Sequence, residues 1–435
     1  MNDKIIILGA GISGLAAGYY LKRSGKSSKI FEKNHSWGGL CDNFTINNFR
    51  FDRFVHLSFT EDKAANDLFL NATPYIRHTP NPFNLYYGKW IKHPAQNNLY
   101  PLTEEEKVKI LNDIKNRKEI PVDKINNYEE WLRTQYGDYF AEKFPMRYTK
   151  KYWQTEARDL GVKWVGNRMY RPSYDEVALG CRSTETPLAY YAKEMRYPEK
   201  GGFKAFFTTL AKDLDIQNRS QIMEIDYSEK VIKDEYGNMY SYDILISSIP
   251  LPELVKITKD VSDEVRLAAK MLRCTSGYQL SIGLKTKSIP PYLWFYIYDE
   301  DIPVARVYSP SLKSADNAPD NCSSLQLEIY CNENKYSKKD LIDKSLNKLV
   351  AAGVFKIEDI LLTDLRFEKY ANVIFNHDIY KNRKIVRDFY DNIGIYTIGR
   401  FGEWDYFWSD QSFLSGKLAA ELILSEKGSN GVLNY

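Results

Sequence analysis

The first forty residues carry the sharpest apolar and polar patterning in the chain. Ile5-Ile6-Ile7-Leu8 is a short, largely β-branched apolar run of the kind that forms a strand buried on both faces. Gly9, Gly11 and Gly14 follow without a gap, and from Leu15 to Leu21 the apolar positions recur at helical spacing. A second apolar stretch, Lys29 to Glu32, ends in a carboxylate eighteen residues after Gly14. Strand, tight turn, helix and an acid at that distance predict a dinucleotide-binding fold. Gly9 makes the turn, Gly11 lets the backbone approach a pyrophosphate at the helix N-terminus, and Gly14 lets the helix pack on its strand. Ser13 and Lys33 belong to the same phosphate and ribose surroundings. Glu32 would repel a 2′-phosphate, so the ligand is expected to be FAD or NAD rather than NADP. The plainer reading, a glycine turn that merely tightens a strand–helix junction, is outweighed by this context.

Beyond residue 60 the pattern changes. Thr103 followed by three acids and a helically spaced apolar series predicts a capped helix, and Tyr128-Glu-Glu-Trp-Leu begins another. Leu85 to Pro94 reads as a hairpin. Pro198-Glu-Lys-Gly-Gly-Phe203 is expected to open a helix running to about Leu214, and Tyr242 to Pro250 reads as a buried strand. Extended pieces at 278–284, 293–298, 304–308 and 324–330 predict an antiparallel sheet, and Ser337 caps a helix beyond it. Gly394 to Arg400 is a strand leading into a turn, and Asp410 to Gly416 starts a last helix. The expected class is α/β: a discontinuous Rossmann-like FAD-binding domain with a helical insertion and an antiparallel β-sheet substrate domain. The expected pieces are residues 1–60, 198–255 and 390–435 for the FAD domain, 61–197 for a mainly helical cap and 256–389 for the sheet.

Composition narrows the function. With 60 Lys+Arg against 57 Asp+Glu, the net charge of +3 gives no reason to expect nucleic acid or an anionic membrane as partner. The five cysteines are scattered without a C-x-x-C pair, which fits a reducing compartment and no metal site. The first strand begins too early for a signal peptide, and no apolar run reaches the length of a membrane span, so a cytoplasmic protein is expected. Aromatic residues make up 14% of the chain, with 33 tyrosines, which suits sugar or nucleotide ligands. A second G-x-G-x-x-G is missing, which argues against a separate nicotinamide domain.

Trp37-Gly38-Gly39-Leu40 and Phe51-Asp52-Arg-Phe-Val-His56 follow the acid, with Asp52 and His56 expected near the reactive end of the cofactor. This order resembles the FAD-binding entry of the amine-oxidase-like flavoproteins, which include protoporphyrinogen oxidases and UDP-galactopyranose mutases. That resemblance narrows the cofactor to FAD. Tyr148-Thr-Lys-Lys-Tyr-Trp153, Arg171, Arg306 with Tyr308, and Gly399-Arg400-Phe401-Gly402-x-x-x-Tyr406 with Asp410 and Ser412 downstream are similar to stretches of the mutases. The resemblance implies Trp153 stacking on uracil with Tyr148 beside it. Arg168, Arg171, Tyr174, Arg306, Tyr308 and Tyr406 would surround a diphosphate, and Gly399, Arg400, Asp410 and Ser412 the flavin. His56, Arg171, Arg306 and Tyr406 are the expected catalytic set. The sequence departs from the mutase pattern at His56-Leu-Ser-Phe and at Asn167, where the mutases have an arginine.

The activity so implied is ring interconversion of a nucleotide-activated sugar such as UDP-galactose. N5 of reduced FAD would attack the anomeric carbon, UDP would leave and return, and there would be no net redox change; the setting would be cell-surface polysaccharide biosynthesis. A homodimer is compatible with it. The alternatives are an FAD oxidoreductase of the amine or protoporphyrinogen oxidase type, and a non-catalytic FAD-binding escort protein.

Overall fold

The computed structural model describes residues 3–425 apart from 167 and 188. Asn167 and the end of the chain therefore lie outside the described residues. A five-stranded parallel sheet runs in the order Ile395–Thr397, Ile244–Ser247, Ile5–Leu8, Ser28–Glu32 and Asp215–Asn218. Ile5–Leu8 is buried at every position, as an unbroken apolar run in a sheet covered on both faces should be. The helix Ile12–Arg23 leaves the first strand, and the C-terminal helix Ser409–Leu424 packs against it. The sheet is thus assembled from both ends and the middle of the chain.

A second, seven-stranded sheet forms the opposite wall. Its order is Ile360–Val373, Cys274–Leu284, Ser323–Tyr330, Arg306–Tyr308, Trp294–Ile297, Phe83–Tyr86 and Lys89–Lys92. It is mixed rather than antiparallel, because Trp294–Ile297 pairs in parallel with Phe83–Tyr86. That pairing brings the predicted hairpin into the sheet; Tyr87 and Gly88 at its tip both have positive φ, the backbone that a two-residue hairpin requires. Strand alternation sorts the chemistry. Leu325, Leu327 and Ile329 join the apolar core beneath the helix Lys338–Ala351, while Gln326, Glu328 and Tyr330 project from the other face.

The helical segment carries Glu104–Asn116, Tyr128–Tyr136, Pro145–Trp153 and Tyr174–Arg182, the first capped reciprocally by Thr103 and Glu106. The helix expected to open at Pro198–Phe203 and run to about Leu214 forms from Phe203 to Ala211, three residues short of the expected end and 3-10 in its first half. The strand Met195–Pro198 precedes it, and the 3-10 segment Phe203–Phe207 continues without a break into the helical turn Thr208–Ala211. Gly201 and Gly202, with φ of +85° and +69°, break the backbone just before Phe203.

Asp52 knots these parts together. Its carboxylate accepts hydrogen bonds from the Tyr197 hydroxyl at 2.7 Å and the Phe203 amide at 3.0 Å, and pairs with the Lys313 ammonium at 2.7 Å. Both partners of the ion pair have 0% side-chain exposure. Lys313→Met would strand a buried carboxylate, so a loss of about 3–5 kcal/mol in denaturant unfolding is expected. The Asp52→Asn/Lys313→Met double variant should recover part of it.

Candidate functional site

The strand Ile5–Leu8 ends where the chain must turn sharply to enter the first helix, and the three motif glycines divide that task. Gly9 has a φ of +92°, a conformation that favours glycine. A Cβ at Gly14 would overlap the Gly9 carbonyl oxygen, so helix and strand pack backbone to backbone. A Cβ at Gly11 would meet nothing within 4 Å: this backbone faces open space. The helix behind it has no side-chain cap, leaving its first amides and positive dipole end available. Glu32, at the end of the second strand, accepts from the Ala10 amide at 2.9 Å and from Asn34 at 2.7 Å. Gly38 donates to the Ala10 carbonyl at 2.8 Å, which lays the Gly38-Gly39 turn along Gly11.

These groups line one end of a cavity of about 680 Å³ that reaches the large sheet. Of the expected residues, Gly9, Gly11, Ser13, Glu32, Lys33, Gly38, Gly39, Leu40, His56, Arg306, Gly399, Arg400, Tyr406 and Ser412 line it. Gly14, Asp52, Asp410, Tyr148, Trp153, Arg168, Arg171, Tyr174 and Tyr308 do not. Asp52 is spent in the buried knot rather than at the reactive end. Trp153 is only 4% exposed and packs edge-on to Trp164 at 5.3 Å, so its ring serves the core. Tyr148 is held among Tyr152, Tyr296 and Tyr298, and the Tyr308 hydroxyl bonds Gln326. Arg171 pairs with Glu119 at 2.5 Å, and Tyr174 starts an exposed helix.

At the sheet end, Arg306 makes two bonds of 2.9 Å to Glu328, which is wholly buried and also accepts from Tyr330 at 2.7 Å. Burial alone would press the Arg306 guanidinium toward neutrality; the carboxylate beside it more than reverses this. Arg400 donates to the Phe407 carbonyl at 2.7 Å and to Asn372 Oδ1 at 3.0 Å, the oxygen that Tyr152 also reaches at 2.8 Å. Two guanidinium groups approach the Tyr406 ring, Arg168 at 4.8 Å and Arg400 at 4.9 Å from its centre. Arg168 is itself held by the Trp164 and Tyr406 carbonyls. His56 stacks on Phe203 at 5.0 Å, and burial pushes its pKa down to about 4, so the ring is neutral near pH 7.

The pattern did not reveal Arg53, Tyr190, Tyr191, Trp294, Tyr296, Glu368, Asn372 and Trp408, which also line the cavity. Arg53 lies inside the Phe51–His56 stretch and Trp408 two residues beyond Tyr406. The remainder sit on loops or strand faces whose direction is set by pairing.

The wall fits a flavin dinucleotide. An open glycine cradle and an uncapped helix end suit a pyrophosphate, and a buried acid suits a ribose. His56 Nδ1 and Asn372 Nδ2 are buried, line the cavity and have no partner, as groups awaiting a polar ring system would be. The chain is similar to UDP-galactopyranose mutase over nearly its whole length. A crystal structure of that enzyme in its reduced form superimposes with a TM-score of 0.91, covering 98% of this chain and 94% of the other at 25% identity. A protein described as a protoporphyrinogen oxidase from Exiguobacterium shares the fold at TM-score 0.76 and 18% identity, over 97% of this chain and 99% of the other. A family model of NAD(P)-binding Rossmann-like domains matches residues 7–71. The inactive all-trans-retinol 13,14-reductase of Danio rerio is 43% identical over 51 residues, which span 12% of this chain and only 8% of that protein. The fold is that of FAD-dependent enzymes, and FAD is the cofactor that fold and cavity support. Among the described residues no helix is long and apolar enough to cross a membrane, and no cluster of His, Cys, Asp and Glu could hold a metal.

Gly11→Ala should leave apo-protein stability nearly unchanged and lower FAD affinity, measured by flavin fluorescence; Gly14→Ala should lower the unfolding free energy by about 1–3 kcal/mol. Because His56 binds its proton less readily folded than unfolded, stability should fall as pH drops from about 6.5 toward 4. His93, also pushed down to about 4 by burial, adds to that slope. Urea midpoints of His56→Gln should fall less steeply over this range than those of the parent.

Proposed function

We propose that this protein is an FAD-dependent isomerase of a nucleotide-activated sugar, similar in its reaction to UDP-galactopyranose mutase. It would interconvert ring forms without net redox change, in the cytoplasm, for cell-surface polysaccharide synthesis. Residues 1–60, 198–255 and 390–435 are assigned to cofactor binding, and 61–197 and 256–389 to the substrate.

One observation carries the reading: Arg400 lines the cavity beside Tyr406, Arg168 lies behind that lining at 4.8 Å from the same ring, and among the described residues neither is paired with a carboxylate. Two like charges around one phenol ring repel each other, and an anion beside them relieves that repulsion. A sugar nucleotide brings such an anion in its diphosphate. Arginine forks and tyrosine hydroxyls would hold it through the moment of leaving, when its charge grows, and so lower the barrier to breaking the anomeric bond. Glu328 fixes the Arg306 fork in one orientation. Neutral His56 can exchange a hydrogen bond with the bound ring system without adding charge. The half-buried and buried rings of Tyr190, Tyr296 and Trp294 keep water from the far end. Bound, reduced FAD would supply the nucleophile for the anomeric carbon.

An FAD oxidoreductase acting on an apolar substrate is the second reading. It draws support from the burial of Trp153, the distance of Arg171 from the cavity and the aromatic lining of the sheet end.

Protein reduced with dithionite is expected to interconvert UDP-galactopyranose and UDP-galactofuranose, while the oxidised protein is inactive. If neither UDP nor a UDP-sugar changes the flavin spectrum, the isomerase reading is wrong. Arg306→Ala alone would strand Glu328, so the informative variant is Arg306→Ala/Glu328→Gln. It should weaken UDP binding about tenfold, roughly 1.4 kcal/mol, with FAD content unchanged.

A further inference from the structure

The edge strand Ile360–Val373 does more than finish the large sheet. Near its end the register against Cys274–Leu284 slips: Thr275 faces Asn372 and Gly277 faces Glu368, so the edge strand spends two extra residues there. A bulge of this kind re-aims side chains that regular alternation would send to opposite faces. Here Lys369 and Tyr370, consecutive in sequence, both reach Glu253, the lysine at 2.6 Å. Glu253 belongs to the helix Leu251–Ile257, which follows the strand Ile244–Ser247 of the parallel sheet. Glu368, just before the bulge, pairs instead with Arg53 at 3.1 Å, one residue after the strand Phe49–Asp52. Arg53, Glu253, Glu368, Lys369 and Tyr370 all line the cavity. The Lys369 side chain is 62% exposed, so this is where the cavity opens to solvent.

We propose that the bulge is an ionic clasp across the cofactor crevice: Arg53–Glu368 on one side and Lys369 and Tyr370 on Glu253 on the other hold the edge strand over the dinucleotide and set the rate at which it leaves. The inference rests on the reading of this cavity as the FAD site. None of the five groups was expected there from sequence, and none is needed for the sugar chemistry. Their exposure is partial, so the pairs are strong enough to close the strand and weak enough to open. With the strand's ladder to Cys274–Leu284 kept, opening at the bulge breaks two ion pairs and one hydrogen bond and leaves Glu253 with Lys256, its neighbour on the helix at 3.1 Å. Salt should therefore assist release.

The test is FAD dissociation from the oxidised holoprotein, followed by the rise in flavin fluorescence after dilution. Glu253→Gln and Glu368→Gln keep the shape of each side chain and remove its charge. Each is expected to speed release several-fold, and the double variant about tenfold or more. High salt should accelerate release from the parent and have little effect on the double variant. Lys369→Met serves as a second probe of the exposed pair and needs no change in a buried group. A double variant that binds FAD and releases it at the parental rate, or a parent whose release ignores salt, overturns the clasp while leaving the cofactor reading intact. A parent that takes up no FAD overturns the cofactor reading itself.

Discussion

The helix Ser409–Leu424 can lie against Ile12–Arg23 only because no side chain stands between them. A Cβ at Gly416 would overlap the Ser13 carbonyl oxygen, and one at Gly399 would run into the Ser13 hydroxyl. Gly14 meets Gly9 in the same fashion. These contacts fix more than packing. Gly399 leads directly into Arg400, so seating it on Ser13 delivers the arginine to the N-terminal end of the glycine helix. The Gly399 amide donates to Ser415 at 2.8 Å, and Ser415 in turn reaches Glu403, which ties the turn to the helix that follows. The cavity is closed by residues some four hundred positions apart because backbone meets backbone at its floor.

The opposite wall solves a different problem. A sheet face bearing Gln279, Gln326, Glu328 and Tyr330 is expensive to bury unless each group finds a partner. It does so by bonding the segment that enters from the cofactor side: Gln279 accepts from the Phe54 amide at 2.7 Å, and Glu328 from the Val55 amide at 3.3 Å. The residues from Asp52 to His56 are therefore positioned by the sheet as much as by the parallel core, and His56 is held over Phe203, whose amide is bound by Asp52. The sheet wall and the cofactor wall are one polar network.

What could be read in the sequence follows from how local each signal is. The glycine motif, the Thr103 and Ser337 caps and the buried strand before Pro250 depend on neighbours in the chain, and each forms where the pattern puts it. The strand Ile360–Val373 shows strict alternation only from Asp364 to Glu368, between the apolar run Ile360–Leu362 and the bulge at Lys369-Tyr370, so its full length is hidden; its charges suit an edge, where they discourage pairing with another chain. The helix expected after Pro198 forms only once the chain has passed the two positive-φ glycines, Gly201 and Gly202, and it begins as a 3-10 segment at Phe203. At the site, motif residues from the start and end of the chain meet at one cavity. Trp153 and Arg171 do not, because whether an aromatic or an arginine faces a ligand is decided by tertiary packing that helical spacing does not encode.

The distribution of charge along the cavity explains why its arginines are not equivalent. Arg306 is neutralised in place by Glu328, so its contribution to a bound anion is direction rather than net charge. Arg400 is held by a carbonyl and an amide oxygen, which orient it and leave its charge uncancelled. Arg168, outside the cavity lining, is likewise held by two carbonyl oxygens. The glycine end therefore offers an uncapped helix terminus and Arg400 as positive sites, with the buried Glu32 beyond them, while on the sheet wall the charge of Arg306 is cancelled by Glu328. An anionic ligand entering this cavity is drawn to the glycine end and shaped by the sheet wall, and a ligand with phosphates in its middle and uncharged rings at its ends satisfies both.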